Sequence, residues 1–123
     1  MAELLDAAAE RRQEREREEA ARHAAQEARR ERERALARER KLEKLVADEE
    51  GAWLRVNEMI GVKKAGEYDT AVELLRDLRT LAERADRLGD FTRRFALLRQ
   101  EHLRKPSLIE RFDRAGLDRP LTA

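Results

Sequence analysis

GEYDTAVELLRDLRTLAER, residues 66–84, is the stretch on which the fold turns. Tyr68, Val72, Leu75, Leu78, Leu81, Ala82, Ala85 and Leu88 recur at intervals of three and four, which lines them along one stripe of a helix. Ala71 and Leu74 widen that stripe, and Arg76, Asp77, Arg79, Glu83, Arg84 and Arg87 fill the other side. An apolar arc this broad suits a helix with neighbours on two sides. The flanking chain must supply those neighbours.

Downstream, Gly89-Asp90 predicts a turn, with Asp90 capping the next helix by accepting from its free backbone amides. That helix carries Phe91, Phe95, Leu98 and His102 on one line, with Leu97 and Leu103 close by, and stops at Lys105-Pro106. Ser107 and Glu110 match a capping box for a short last helix. Leu108, Ile109 and Phe112 form its apolar side. Gly116 is expected to close it, with Leu117 folding back as the contact after the cap.

Upstream, Leu36, Leu42, Leu45, Val46, Trp53, Val56, Met59 and Ile60 form a bulky stripe that needs burial. Gly51 costs about 1 kcal/mol against alanine inside a helix, so a break is expected at 49–51. The helix is expected to end near Gly61–Lys64, with Gly61 and Gly66 bracketing a basic turn. The predicted core is Trp53, Val56, Ile60, Tyr68, Val72, Leu75, Leu78, Phe91, Phe95, Leu98 and Phe112.

Residues 3–48 read as one helix of Ala, Glu, Arg, Leu, Lys and Gln, all strong helix formers. Opposite charges recur at helical spacing: Arg12–Glu16, Arg15–Glu19, Glu18–Arg22, Glu27–Arg30, Arg29–Glu33 and Glu31–Arg34. Each such pair contributes about 0.2–0.5 kcal/mol in an isolated helix. Between residues 10 and 34 the apolar side chains are alanine alone, with Ala20, Ala24 and Ala28 on one face beside Ala21 and Ala25. Bulky residues would mark a coiled-coil seam. Two readings stay open, a solvated single helix and a coiled coil with itself or a partner. The expected layout is all-α: a long charged helix over 1–41, a three- to four-helix bundle over 42–117 and a frayed tail over 118–123.

Composition agrees with a small helical protein. Of the 123 residues, 45% are charged and 4% aromatic, values closer to a solvated helix than to a compact globule. Residues 1–50 hold 13 Lys and Arg against 15 Asp and Glu, while residues 51–123 hold 15 against 12. Neither part is a basic tail that would seek nucleic acid or an anionic membrane on charge alone. The chain has no cysteine, which excludes disulfides and thiolate metal sites. No apolar run approaches the ~18 residues of a membrane span, and the start MAELLDAAAERRQ lacks a signal-peptide pattern. A cytoplasmic location without membrane contact is the expectation.

Chemistry has few footholds. The single serine, Ser107, is read as a cap, and His23 and His102 have no second histidine at ligand spacing. His23 sits among charges, and His102 fits a packed helix face. No glycine-rich phosphate loop is present. Trp53 reads first as a core anchor and second as a partner hot spot. No catalytic residue, cofactor, metal or small-molecule substrate is expected. Arg93, Arg94, Arg104, Lys105 and Arg111 give the C-terminal helices a basic cast, which keeps an accessory nucleic-acid role open.

Gly66-Glu67-Tyr68, followed by a helix with Ala71 three past the aromatic, resembles the second half of a tetratricopeptide-type repeat. Gly89-Asp90-Phe91 resembles it again, with Pro106 17 residues after Gly89. The two glycines are only 23 residues apart, short of that repeat's period of about 34. The alternatives are a truncated repeat hairpin and an ordinary bundle using similar turns. In the repeat, the glycine permits close packing of two antiparallel helices and the aromatic plugs the turn.

AWLRVNEMI, YDTAVELLRDLRTLAER and FTRRFALLRQEHLRKPSLIERFDRAGL together are similar to the C-terminal helical region of bacterial SWIM zinc-finger proteins, over roughly residues 40–117. That finger needs Cys-x-Cys and Cys-x-His, and this chain has no cysteine, so no zinc ligand carries over. The resemblance implies a helical tail, with zinc only in a longer parent and a nucleic-acid or protein-interaction setting. The expected function is a non-enzymatic helical protein-interaction module or scaffold, working through a protein partner or self-association. An accessory nucleic-acid-binding piece and a structural helical spacer are the competing expectations.

Overall fold

A computed structural model describes residues 2–118 of the chain. Its described residues form five helices and no strand: α1 (Ala2–Ala47), α2 (Glu49–Val62), α3 (Ala65–Arg84), α4 (Leu88–Glu101) and α5 (Pro106–Ala115). The expected tail, 118–123, lies outside the described residues apart from Asp118. The chain divides into two compact units, Met1–Arg40 and Lys41–Ala123.

The first unit is helix throughout its described part, and its middle has no apolar packing to explain that. From Glu10 to Arg40 every side chain is exposed except half-buried Glu27. Glu27 accepts from Arg30 at 3.1 Å, and Glu14 lies 3.9 Å from Arg17. The other five charge pairs expected from spacing do not close into ion pairs among the described residues. Fixing two long side chains costs rotamer entropy comparable to the small gain of an exposed pair. Alanine and straight-chain propensity therefore carries this helix, with charge spacing as a minor aid.

The second unit has a core, and α3 is its shared partner. It packs against α2, α4 and α5. Tyr68, Val72, Leu75 and Leu78 of α3 are buried with Trp53, Val56 and Ile60 of α2, Phe91, Phe95 and Leu98 of α4, and Phe112 of α5. Leu42 and Leu45, from the last turns of α1, join the same cluster, as do Leu108 and Leu117. Leu36 and Val46 belong to the same sequence stripe but are exposed. Four aromatic rings tie three helices together. Trp53 meets Phe91 at 5.7 Å, Phe91 stacks on Phe95 at 6.0 Å, and Phe95 meets Phe112 edge-on at 5.0 Å. Such pairs add about 0.5–1.5 kcal/mol each beyond area burial.

Helix α2 ends at Val62, within the expected Gly61–Lys64, but other turns differ from their sequence reading. The break after α1 falls at Asp48, whose carboxylate accepts from the Gly51 amide at 2.9 Å as N-cap of α2. A Cβ on Gly51 would lie 2.1 Å from the Asp48 carboxylate, so the glycine makes room for the cap rather than breaking the helix. The left-handed residue ending α2 is Lys63, not a glycine. Gly61 lies inside α2, and Gly66 lies inside the first turn of α3 with open space where a Cβ would be. Gly66 is thus neither a turn residue nor a close-approach site.

Gly89 and Asp90 are also helical, in the first turn of α4. The turn is earlier, at Ala85–Arg87. Asp86 takes φ 56°, the Arg87 amide donates to Ala82 O at 2.7 Å, and the Asp86 amide donates to Glu83 O at 3.1 Å. That is a Schellman closure with aspartate in the left-handed position usually held by glycine. Asp90 pairs with Arg93 instead of capping. At the last helix, Pro106 takes the first helical position, where its missing amide and fixed φ cost least. Ser107 and Glu110 therefore fall inside α5 and form no capping box. The Ser107 hydroxyl accepts from Arg111, and Glu110 accepts from Arg114 at 2.6 Å. Helix α4 stops at Glu101, short of Lys105. Gly116 closes α5 at φ 63°, and Leu117 is buried behind it.

Candidate interaction surfaces

Three surfaces carry the exposed chemistry of this chain, and the first is the helix of residues 10–40. Its side chains are charged or alanine apart from Gln13, Gln26, His23 and the single exposed leucine, Leu36.

The second surface lies where α2 and α4 flank α3. Trp53, Leu78, Ala82 and Phe91 form its floor, with Glu49, Glu50, Arg87, Asp90 and Arg94 around it. Two ion pairs bridge its sides. Arg94 grips Glu50 in a bidentate contact at 2.6 and 2.7 Å, and Arg87 meets Glu49 at 3.1 Å. The Arg94 guanidinium also stands over the Trp53 ring at 4.6 Å. The hydrogen bond from Arg94 holds the Glu50 carboxyl below the usual carboxylate range, against an opposing effect of desolvation. The same bond holds Arg94 above its ordinary value. Trp53 is thus a core anchor with a guanidinium laid across its outer face. Leu97, on α4 beside this floor, remains 67% exposed.

The third surface runs between α3 and α5, lined by Asp69, Val72, Glu73, Arg76, Arg111, Arg114 and Ala115. Arg111 donates to Asp69 at 2.7 Å and to the Ser107 carbonyl at 3.0 Å, and lies 6.0 Å from the Tyr68 ring centroid. Nearby, Arg99 pairs with Asp113 at 2.7 Å, and Arg79 donates to the Gly116 carbonyl at 2.8 Å.

These contacts change the meaning of the basic residues. Arg93, Arg94 and Arg111 each face a carboxylate, and Lys105 donates to His102 Nδ1 at 2.8 Å. Arg104 is exposed and without an ion pair among the described residues. Most of the expected basic cast is therefore neutralised locally rather than presented as a field. A lysine ammonium can only donate, so His102 Nδ1 is the acceptor and the imidazole proton sits on Nε2. Nε2 is buried without a partner. Burial first, and the Lys105 charge second, push the His102 pKa below its ordinary value.

One buried charge escaped the sequence reading. Asp77, placed there on the polar side of α3, is buried and pairs with Lys41 at 3.2 Å. Position 77 lies about 40° round the helix from Leu81, just outside the arc that Leu74, Leu75, Leu78 and Leu81 span, and that edge position was the available signal.

Among the described residues no group of His, Asp and Glu is arranged to hold a metal ion. No described helix is long and apolar enough to cross a membrane. No family model matches the chain, and neither a curated protein nor a solved structure matches it.

Proposed function

We propose that this chain is a non-enzymatic helical interaction module. Residues 41–118 form the anchoring bundle, and residues 10–40 are the binding element. The observation that carries this reading is the exposure of that element: about thirty consecutive residues hold a helix without covering any face of it. A helix with exposed sides on all faces presents charge at spacings that a partner helix can match. The bundle reads as a repeat-like hairpin. α2 and α3 are joined by Lys63 and Lys64 alone, and α3 is flanked again by α4 and α5. Arg111–Asp69 and Arg79–Gly116 suggest that α3 and α5 run in the same direction.

The similarity to the helical tail of SWIM zinc-finger proteins fits such a module, as the part of a longer protein that meets other proteins. A nucleic-acid role is the weaker reading, because Arg93, Arg94 and Arg111 already face carboxylates. A structural spacer uses the same helix without a partner.

Cross-linking of the intact chain in its native cells, read by mass spectrometry, tests the reading. Intermolecular links from labelled positions within 10–40 of the intact chain, together with links from Lys41 or Lys44 that disappear when residues 1–38 are deleted, are the expected result. A helix that yields no intermolecular link would leave the spacer as the better account.

A further inference from the structure

Residues 1–40, which include the binding element, are electrically polar along their length. Residues 1–20 hold seven acidic and four basic side chains, and residues 21–40 hold four acidic and seven basic. The formal charge is therefore −3 in the first half and +3 in the second. The helix macrodipole explains only part of that split, because its influence fades beyond the first and last turns. Glu14, Glu16, Glu18 and Glu19 lie well inside the helix, and so do Arg29, Arg30, Arg32 and Arg34. All eight are exposed.

We propose that this segment pairs antiparallel with the same segment of a second copy, about a two-fold axis near Ala20 and Ala21. The proposal rests on the interaction-module reading and names its partner. Antiparallel pairing sets each acidic half against a basic half. Parallel pairing sets −3 on −3 and +3 on +3, which repels along the whole contact. A two-fold contact requires one surface to complement itself, and equal and opposite halves about a midpoint satisfy that requirement. The midpoint of the charge pattern falls between Ala20 and Ala21, with Ala24 and Ala25 one turn further on, small side chains that let two helix backbones approach closely. An unlike partner would need halves of opposite net charge in the same order, whereas a second copy carries them already.

The lack of cysteine gives a clean test with the intact chain. Ala37 is exposed, and Ala37→Cys accepts one spin label without touching a charge. Antiparallel pairing separates the two labels by 33 residues of helix, about 50 Å at 1.5 Å per residue. Parallel pairing brings them within about 20 Å, given the ~8–10 Å between packed helix axes. A dipolar distance near 50 Å, with a dimer in light scattering, is expected. Replacing Glu14, Glu16, Glu18 and Glu19 together with Gln, a comparable helix former, should weaken the dimer by about tenfold or more while the helix signal in circular dichroism stays. Salt near 1 M, where screening shortens to ~3 Å, should act in the same direction.

A short label distance overturns the proposal, and so does a monomer at every concentration. The cross-linking result then separates the two ideas. Links from residues 10–40 to a different protein leave the interaction module standing without self-pairing. An absence of links removes both.

Discussion

Leu36 and Leu42 stand six residues apart on one helix, yet Leu36 is 57% exposed and Leu42 is 1% exposed. Between them the chain passes from one compact unit to the other. Before that boundary, helix is maintained residue by residue through alanine and straight-chain propensity. After it, helix is maintained by a shared core in which α3 meets three neighbours and four aromatic rings join α2, α4 and α5. The lesson is that identical secondary structure can have different origins. A substitution is costly where tertiary packing supplies the stability and cheap where propensity supplies it.

The sharpest way to break this contrast is at the ring chain. Phe95 is buried and touches both Phe91 and Phe112. Phe95→Ala should cost about 3–5 kcal/mol, enough to unfold a marginal bundle. Urea unfolding followed through Trp53, the only tryptophan, measures it. A loss under ~1 kcal/mol would mean the rings are not central to the core.

The two leucines provide a paired test inside a single helix. Leu42→Ala should destabilise the bundle by about 2–5 kcal/mol, whereas Leu36→Ala should stay within about 0.5 kcal/mol. Similar costs at both positions would erase the distinction between the units. The effect of the junction is smaller. Asp48→Ala removes the carboxylate that accepts from Gly51 and should cost about 1 kcal/mol in the same assay. An unchanged midpoint would show that the start of α2 is set by packing alone.

The smallest effect is a pH dependence confined to the bundle. Because the His102 pKa is lowered by burial and by Lys105, the unfolded chain binds its proton more readily than the folded one. Stability is then unaffected above ~6.5, the ordinary histidine value, and declines as pH falls from there toward the folded value. His102→Gln should flatten that decline. An imidazole NMR titration placing the His102 midpoint at or above ~6.5 would contradict the assignment.

Much of the fold was legible because helical periodicity is a local property. The eleven-residue core set is buried throughout, and Gly116 with Leu117 closes α5 in the way a glycine followed by an apolar residue permits. The turns were less legible. The basic turn between Gly61 and Gly66 falls where its spacing places it, with Lys63 left-handed, but the next turn comes at Ala85–Arg87, with Asp86 left-handed, rather than at Gly89-Asp90. Spacing alone cannot tell which residue a closing helix leaves in that geometry once packing fixes both helix directions. Ser107 and Glu110 had the pattern of a cap, but Pro106 starts α5 before them.

For the candidate surfaces the division is similar. The charge polarity of residues 1–40 and the absence of cysteine are properties of the sequence alone, since no neighbour is needed to define them. The fates of Arg94, Arg111 and Asp77 are not. Each depends on a side chain far along the chain, Glu50, Asp69 or Lys41, brought close only when α3 gathers its neighbours. Sequence determines which groups are charged and how a helix distributes them around its axis. Tertiary structure decides which charges meet, because contact between distant residues follows from the packing of apolar faces that the charged residues do not control.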